Sequence, residues 1–396
     1  MLEKYSQQII LESSNSSFDW GLTEGKVVKN RQTYRMRKDE YFKVAALECA
    51  EELKGLVPSR FTNRNVIVEG LVESLKAGVE LKIIRCDIKD FFNTIDHSIL
   101  EDKINQSSLS KITRNLALSL IREYSGITGQ KKGLPQGIGL SSVLADFYIT
   151  DIDSTLLISP HIVFQARYVD DIVIVSYNNE VENTWKQLKC HMDSLNLEFH
   201  TSGKKYKNIT IPKESSMNRE FNFNYLGYNI LIDSKRNVIA RLTNDKVNKM
   251  KIKIRQSFDA WYQSILKYDS MCFQNNYFDK TLYYQYRSGC DGLLLDRIKF
   301  LAGNTRLSNN KSDIIVGTQY NYPLISQDDE GLVEINKFYN DLINDKTRDA
   351  SARRQSGVHT DLEKKLRSVG FIDNYANKTF YCFAADRQRT ITRVWS

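Results

Sequence analysis

Apolar positions recur at helical spacing after a mixed polar stretch that covers residues 1–40 and ends in the basic run KNRQTYRMRK. Residues 40–56 place their apolar side chains on one helical face, at Phe42, Ala46, Cys49, Leu53 and Leu56. A second helical stretch covers about residues 66–76 and ends before Gly78. Residues 81–88 have the pattern of a buried strand.

The middle of the chain alternates helical and strand patterns. Residues 96–123 predict a helix, a glycine-containing loop then ends in Leu-Pro-Gln-Gly, and residues 141–157 predict one long helix. Residues 163–176 are two apolar runs that flank Tyr168-Val169-Asp170-Asp171, the pattern of a hairpin. The clearest helical face follows, at Val181, Trp185, Leu188, Met192 and Leu195. Residues 224–233 and 237–242 then predict two strands around a turn, so the fold expected here is mixed α/β.

Beyond Arg241 the pattern is helical. One apolar stripe contains Val247, Met250, Ile254, Phe258, Trp261 and Ile265. Basic residues are interleaved with the start of this stripe, at Lys249, Lys251, Lys253 and Arg255. Glycine and proline are sparse in this part of the chain, which predicts a helical bundle with a loop near residues 304–322.

Composition and charge add to this picture. The chain has 396 residues, enough for two or three domains, and its hydrophobic content of 41% supports a globular core. The formal net charge is +8, and it is unevenly distributed. From Arg241 onwards there are 25 Lys/Arg against 18 Asp/Glu, whereas the first 240 residues have 31 against 30. A basic C-terminal third suits a bound polyanion, although any single basic run can equally be a solvated surface.

Cysteine usage and hydropathy narrow the expected compartment. None of the six cysteines has C-x-x-C spacing, so a zinc site is not expected, and Cys86 and Cys190 lie in apolar patterns that predict core positions. No apolar window approaches the length of a membrane span, and the N-terminus has no apolar core of the signal-peptide type. We therefore expect a cytoplasmic protein with no membrane partner.

Three carboxylates are the most informative chemistry in the chain. Asp170 and Asp171 lie at the tip of an apolar hairpin, where two like charges repel and raise each other's pKa. Asp87 ends the apolar stretch LKIIRCDIKDFF and offers a third carboxylate. Hard divalent cations take carboxylate oxygens as ligands, and two such ions can clamp the attacking and leaving oxygens of a phosphoryl transfer. The sequence thus predicts a nucleotide polymerase that uses two Mg²⁺ ions, with Mn²⁺ as an alternative.

Four sequence blocks resemble the reverse transcriptases, in the order of that family. The blocks are CDIKDFFNTID, GLPQGIGLSSVLADFYI, RYVDDIVIV and NYLGYNI, and the resemblance spans roughly residues 55–240. It implies an α/β, right-hand polymerase fold, with fingers and a palm built from an antiparallel sheet plus helices, followed by a helical thumb and C-terminal region. The domains expected are an N-terminal extension with fingers (1–80), a palm with a fingers insertion (81–240), and a helical thumb and C-terminal domain (241–396).

The resemblance also implies roles for individual residues. Asp87, Asp170 and Asp171 match the catalytic, metal-binding aspartates. Phe92 matches an aromatic residue beneath the sugar, where its ring would clash with a ribose 2′-OH; the alternative is a core position. Gln136 matches the loop that packs against the incoming nucleotide and the template base, although a plain turn would explain Pro-Gln-Gly equally well.

Further matches are looser. Asp90 matches a position next to the triphosphate. A lysine that neutralises the triphosphate is expected after the helix that follows the double aspartate, and Lys204 is assigned to it although Lys205 also qualifies. Leu226 and Gly227 resemble the primer-grip hairpin. The family has its thumb at the apolar stripe, and there the basic side chains of Lys249, Lys251, Lys253 and Arg255 would meet phosphates.

Among reverse transcriptases, the chain most resembles the free-standing bacterial enzymes linked to phage defence and abortive infection. It has no H-N-H-like histidine cluster, no RNase H-like carboxylate set, no maturase tail and no retron motifs. The expected partners are an RNA template and DNA product, with a dedicated non-coding RNA, a neighbouring defence protein or a second copy of the chain as further options. Three alternatives stay open: a retron-like or mobile-element enzyme, template-independent or protein-primed DNA synthesis, and an RNA-binding scaffold with a vestigial site.

Overall fold

The computed structural model describes residues 9, 18–28, 30–57, 63–158, 161–177, 181–274, 280–308, 314–352 and 358–395. The chain forms two compact units, residues 1–218 and 219–396. The first unit is α/β and contains the three carboxylates. The second unit is mainly helical.

The first unit begins with a hairpin that the polar pattern of residues 1–40 did not predict. Strands β1 (Thr23–Val28) and β2 (Arg31–Arg35) pair antiparallel. Just before them lies Trp20, which is completely buried and donates from Nε1 to Leu116 O at 3.1 Å and to Ser119 Oγ at 2.9 Å. This segment therefore belongs to the core of the unit.

A four-stranded antiparallel sheet forms the centre of the first unit. Its strands are β3 (Leu81–Asp87), β4 (Ile162–Tyr168), β5 (Asp171–Tyr177) and β6 (Tyr206–Ile211), in the order β4-β5-β3-β6. All seven residues of β3 are buried, the charged Lys82, Arg85 and Asp87 among them, so the prediction of a buried strand is confirmed. The predicted hairpin around the double aspartate is confirmed as the pair β4 and β5.

Eight helices accompany this sheet within the described residues. They are α1 (Glu40–Leu56), α2 (Arg64–Leu75), α3 (Phe91–Thr94), α4 (His97–Gln106), α5 (Lys111–Thr128), α6 (Gly139–Tyr148), α7 (Thr150–Ile158) and α8 (Val181–Ser194). The prediction of single helices over residues 96–123 and 141–157 was wrong, because each is two helices. Ser110 interrupts the first by capping α5, its hydroxyl accepting from Thr113 N at 3.2 Å. No glycine or proline marks the second break, next to the fully buried Tyr148, whose hydroxyl donates to Leu195 O.

The second unit begins with a three-stranded antiparallel sheet of β7 (Phe221–Tyr225), β8 (Tyr228–Ile232) and β9 (Val238–Leu242). Residues 224–233 are thus a hairpin and not the single strand that was predicted. Its turn residues Leu226 and Gly227 have φ values of +47° and +85°. Positive φ at both central positions is typical of a type I′ hairpin turn, which glycine favours.

The rest of the second unit is a helical bundle, as predicted. Its helices are α9 (Asn244–Gln274), α10 (Lys280–Ala302), α11 (Thr318–Asn321), α12 (Glu330–Ala352), α13 (Val358–Arg367), α14 (Phe371–Ala376) and α15 (Ala385–Thr392). The predicted apolar stripe lies on α9, and all its members except Met250 are buried. The expected loop near residues 304–322 is partly structured, because it contains α11 and the short pair β10 (Thr305–Arg306) and β11 (Ile315–Val316).

Two remaining expectations concern cysteines and membranes. Cys86 is buried as predicted, but Cys190 is exposed on the outer face of α8, so its assignment to the core was wrong. The spacing placed Cys190 inside an amphipathic helix without defining which face it occupies. None of the helices in the described ranges is both long and apolar enough to cross a membrane.

Candidate active site

The three predicted carboxylates lie together at the end of the two middle strands of the central sheet. Asp87 is the last residue of β3, Asp171 is the first residue of β5, and the two are direct partners in the antiparallel register. Asp170 lies in the turn between β4 and β5, and its carbonyl oxygen accepts a hydrogen bond from Ile88 N at 3.0 Å. The sheet thus brings Asp87 next to a pair of adjacent aspartates that begins 83 positions later in the sequence.

The turn that carries Asp170 has an unfavourable backbone. Val169 adopts a φ of +59°, which is rare for a β-branched residue. A conformation of this kind costs about 1–3 kcal/mol and persists only where surrounding contacts hold it. Such contacts are present on the N-terminal side of the turn.

Arg167 provides these contacts. Its side chain is only 8% exposed and donates from Nη1 to Val169 O at 3.0 Å and to Asp146 Oδ1 at 2.7 Å. It also binds Asp153 in a bidentate manner, at 2.8 Å and 2.6 Å. Burial alone would lower the pKa of Arg167, but the hydrogen bonds and charges of Asp153 and Asp146 outweigh it and raise that pKa. Arg167 therefore fastens the turn to α6 and α7.

Electrostatic repulsion is the second feature of the site. Burial and then the charge of Asp87 raise the pKa of Asp170, and the charge of Asp171 adds to the effect. Burial also raises the pKa of Asp171, partly offset by the nearby guanidinium of Arg85. Both carboxylates are ionised only at a cost that a cation could relieve.

Protein cations already contact two of the carboxylates. Lys205 Nζ lies 2.6 Å from Asp87 Oδ1, and His200 Nε2 lies 3.5 Å from the same oxygen. Arg85 pairs with Asp171 and donates from Nη1 to Lys204 O at 2.8 Å. The structure therefore brings the side chain of Lys205 to the carboxylates, whereas the contact of Lys204 is made by its backbone.

Divalent cations fit the chemistry of this donor set. In the described parts of the chain, no group of three or more His, Cys, Asp or Glu side chains is arranged as a ready-made metal cage. Two of the carboxylates have protein cations as partners, Lys205 on Asp87 and Arg85 on Asp171. Carboxylate oxygens that lie close together nevertheless suit Mg²⁺. Asp87, Asp170 and Asp171 are the residues that would hold it, in competition with these two cations.

The predicted nucleotide residues lie in two segments that hydrogen bonds tie together. Phe91 is buried and Phe92 is half-buried, which agrees with Phe91 as the inward-facing ring. Leu134 N donates to Phe92 O at 2.8 Å. Gln136 Nε2 donates to Asn93 Oδ1 at 3.1 Å, and the Asn93 amide in turn donates to Asp90 Oδ1 at 2.8 Å.

The hairpin of β1 and β2 also contacts this loop. Tyr34 N donates to Gln136 O at 2.7 Å. Gly137 has a φ of +95°, and a Cβ at this position would lie 3.2 Å from Tyr34 O, so the close approach of the hairpin requires glycine here. The hairpin thus fixes the loop that contains Gln136.

Sequence reasoning missed the side chains that hold the site together. Arg85, Asn93 and the two aspartates that bind Arg167 were not singled out. Arg85 offered one signal, as a charged residue inside a seven-residue strand that is otherwise largely apolar. The other partners could be found only from the pairing of elements far apart in the chain.

Six predicted residues lie in the second unit. Leu226 and Gly227 form the β7–β8 turn, and the four basic residues lie on α9. Three of these four contact aromatic rings of their own unit: Lys251 and Arg255 lie 5.6 Å and 5.3 Å from the Phe338 centroid, and Lys253 lies 5.4 Å from that of Trp395. Lys251 also pairs with Glu334. Burial and then the charge of Lys246 lower the pKa of Lys253.

Comparison with known proteins identifies a family for part of the chain. Residues 35–230 match the family model described as "Reverse transcriptase (RNA-dependent DNA polymerase)". A search of curated proteins found no match.

The solved structures that match the chain include telomerases of two Candida species. An apo telomerase from Candida tropicalis without its C-terminal domain is 13% identical, with a TM-score of 0.40, over 61% of this chain and 59% of that one. Telomerase from Candida albicans, in complex with a TWJ fragment of telomeric RNA, is 11% identical, with a TM-score of 0.39, over 89% of this chain and 57% of that one. The chain thus spans less than two thirds of these telomerases, and a likeness at this level supports no statement about function.

The raised pKa of Asp170 predicts that its ionised carboxylate destabilises the fold at neutral pH and that a bound divalent cation reverses this effect. A carboxyl group whose folded pKa lies above its ordinary 3.8 contributes stability while it is protonated, and this contribution is lost as the pH rises through the folded pKa. At pH 7, without divalent cations, Asp170→Asn should therefore raise the Tm. Mg²⁺ should raise the Tm of the wild type and have little effect on the variant.

Thermal unfolding at pH 7 and at pH 4, with and without Mg²⁺, measures this effect. The advantage of Asp170→Asn should shrink at the lower pH. Asp102→Asn, at an exposed position on α4, is the matched control and should behave like the wild type. A lower Tm for metal-free Asp170→Asn at pH 7 would show that the ionised carboxylate stabilises the fold, contrary to this account.

Proposed function

Residues 35–230 form a reverse transcriptase domain with the fingers and palm of a polymerase, and we propose that the chain uses it to extend a primer with dNTPs on an RNA template. Enzymes of this class are nucleotidyltransferases. One observation carries the proposal: the fold brings Asp87, Asp170 and Asp171 together at the ends of two neighbouring strands, under mutual repulsion. A solvated turn would not need one buried and two partly buried carboxylates from two segments.

In this proposal each group of site residues has its own role in phosphoryl transfer. Asp87, Asp170 and Asp171 hold two Mg²⁺ ions, or Mn²⁺. The bound metals would supply the positive charge that stabilises the attacking and leaving oxygens of phosphoryl transfer. Arg167 keeps the turn in register through Val169 O. Lys205 offers a flexible ammonium beside Asp87 that can neutralise charge on the triphosphate, the role first assigned to Lys204.

Nucleotide selection is assigned to the two linked segments. Phe92 lies one residue after a buried phenylalanine and keeps part of its ring accessible, as a gate beneath the sugar requires. Gln136 is held against the same segment through Asn93, so the gate and the template-facing loop keep a constant relation. Asp90 shares this network and is proposed to lie near the triphosphate.

Nucleic-acid contacts are assigned to the second unit. Leu226 and Gly227 form a tight turn that suits a primer grip, because glycine there allows close approach of a backbone. The basic residues of α9 are proposed to meet phosphates. Lys249 is exposed and, within the described residues, has no hydrogen bond, ion pair or aromatic ring as partner, so we rank it first.

The first prediction from this proposal concerns the carboxylates. Asp87→Ala, Asp170→Ala and Asp171→Asn should each reduce dNTP incorporation by a factor on the order of 10³, since several kcal/mol of transition-state stabilisation is lost. Primer extension on RNA with Mg²⁺ or Mn²⁺ measures the rate, with Asp102→Asn as a control that retains activity. Incorporation by Asp170→Ala at the wild-type rate would refute the assignment of the site.

The second prediction concerns the sugar gate. Phe92→Ala should raise incorporation of rNTPs relative to dNTPs, because removal of the ring makes room for the 2′-OH. Phe91→Leu is the matched control, since Phe91 is buried and its replacement should leave the ratio unchanged. Competition between a dNTP and the matching rNTP gives the ratio directly. An unchanged ratio in Phe92→Ala would mean that discrimination against ribose is not steric at this position.

The biological role that we propose is defence of a bacterial cell against phage, in the cytoplasm. The proposed partner is a dedicated RNA or a neighbouring protein, and self-association is a further option. The support is sequence resemblance, in particular the R-Y-x-D-D form of the block around Asp170. The next experiment tests this role against three alternatives: a retron-like or mobile-element enzyme, protein-primed synthesis, and an RNA-binding scaffold.

The third prediction tests this role. Expression of the gene with its flanking DNA in a phage-sensitive host should protect cells, and Asp170→Asn/Asp171→Asn should abolish protection. Plaque counts across a broad phage panel measure the effect. Equal protection by both forms would indicate a scaffold instead of an enzyme. No protection from the complete locus would favour a retron-like or mobile-element role.

A further inference from the structure

Arg297 is a buried cation without a counter-charge in the second unit. It lies on α10 with 8% of its surface exposed, and it shares one helical face with the buried Leu294 and Leu301. Its Nε is completely buried and has no hydrogen-bond acceptor. Within the described residues, Arg297 makes neither a hydrogen bond nor an ion pair. Buried arginines are ordinarily paired, so this side chain needs an explanation.

The carboxylates closest along the helix are already bound by other groups. Asp291 accepts from Trp261 Nε1 at 2.7 Å and lies 3.9 Å from Arg287. Asp296 binds Arg387 of α15 through Nε at 2.7 Å and Nη2 at 2.6 Å. Neither aspartate is left to neutralise Arg297.

A second guanidinium makes the position of Arg297 more unfavourable. Burial and then the positive charge of Arg387 lower the pKa of Arg297. Arg387 itself is anchored by Asp296 and keeps 38% of its side chain exposed. Geometry agrees with this, because the bond to Asp296, the residue before Arg297, brings Arg387 to the same turn of α10. In the described part of the chain, Arg297 has no acceptor of its own. An anion that bound both would relieve the repulsion and satisfy the free donors.

We propose that Arg297 and Arg387 form a binding site for a phosphate group. The planar fork of arginine binds phosphate oxygens through two parallel hydrogen bonds, which suits a buried position such as that of Arg297 better than a flexible lysine would. The choice of phosphate among anions rests on the proposed function, because the substrates of a reverse transcriptase are phosphate esters. The same chemistry is found in the backbone of a nucleic-acid strand and in a free nucleotide, and the experiment separates these two sources.

The site differs from the basic face of α9. Lys251 and Arg255 have aromatic rings as neighbours, and Lys251 has a carboxylate as well, so their charges are partly compensated. The charge of Arg297 has no such partner among the described residues. If the unit holds nucleic acid, the phosphate bound at Arg297 should therefore make a stronger contact than one on α9.

Thermal unfolding of the full chain tests the site with inorganic phosphate as the probe, at constant ionic strength set with chloride. Phosphate should raise the Tm of the wild type relative to chloride. Arg297→Met should raise the Tm in chloride, because it removes an unpaired buried charge, and should abolish the response to phosphate. Arg297→Lys keeps the charge but lacks the fork, and should retain only part of the response.

Arg389→Met is the matched control. Arg389 lies on the same helix as Arg387, is 78% exposed and already pairs with Asp386. Its replacement should leave the response to phosphate unchanged. A full response in Arg297→Met would overturn the proposal. So would a wild type that gains nothing from phosphate.

Binding of a fluorescent single-stranded RNA separates the two sources of phosphate. If the site holds a strand, Arg297→Met should reduce the slope of log Kd against log salt by about 0.7, the value of one phosphate contact on a single strand. If it holds a free nucleotide, RNA binding should be unchanged while a dNTP protects the wild type, but not Arg297→Met, against unfolding. None of these measurements needs incorporation, so an inactive polymerase would leave the test valid.

Discussion

Repulsion among three carboxylates, one buried and two partly buried, is the constraint on which the rest of the first unit depends. Asp87, Asp170 and Asp171 meet at the end of paired strands, where burial and mutual charge raise the pKa values of the double aspartate. Without a divalent cation, the protein balances this charge with its own groups, Lys205 on Asp87 and Arg85 on Asp171. Those ion pairs hold the carboxylates in place and at the same time occupy them, so metal binding is an exchange of partners. The strong charge of a divalent ion is what makes such an exchange favourable.

The same constraint explains the surroundings of the turn. A β-branched residue with positive φ, Val169, precedes Asp170, and its carbonyl is held by Arg167. Arg167 in turn is neutralised by Asp146 and Asp153 on two helices. The strained turn is thus held by an ion network that joins it to α6 and α7. Loss of that network would release the turn without changing Asp87, Asp170 or Asp171, which is how residues that do not touch a substrate can control a rate.

Features carried by local pattern could be predicted from the sequence, and features that depend on pairing could not. Strand β3 and the hairpin around Asp170 were predicted because apolar residues recur in both segments and a polar tip separates the two strands of the hairpin. The apolar pattern of residues 224–233 predicted one strand, since a single glycine is a weak turn signal, whereas the resemblance of Leu226 and Gly227 to a hairpin agrees with the turn in the structure. Likewise, Lys205 and Lys204 are neighbours with the same chemistry. Only the structure shows that it is the side chain of Lys205 that reaches Asp87.

The central claim is that the three carboxylates serve RNA-templated DNA synthesis. Its most direct measurement is single-nucleotide extension of a primer on an RNA template, with each of the four dNTPs supplied alone, in Mg²⁺. The account predicts that only the complementary dNTP is added, and that changing the templating base changes which dNTP is added. Addition of the same dNTP whatever the template base, or no addition on any RNA template, would contradict it.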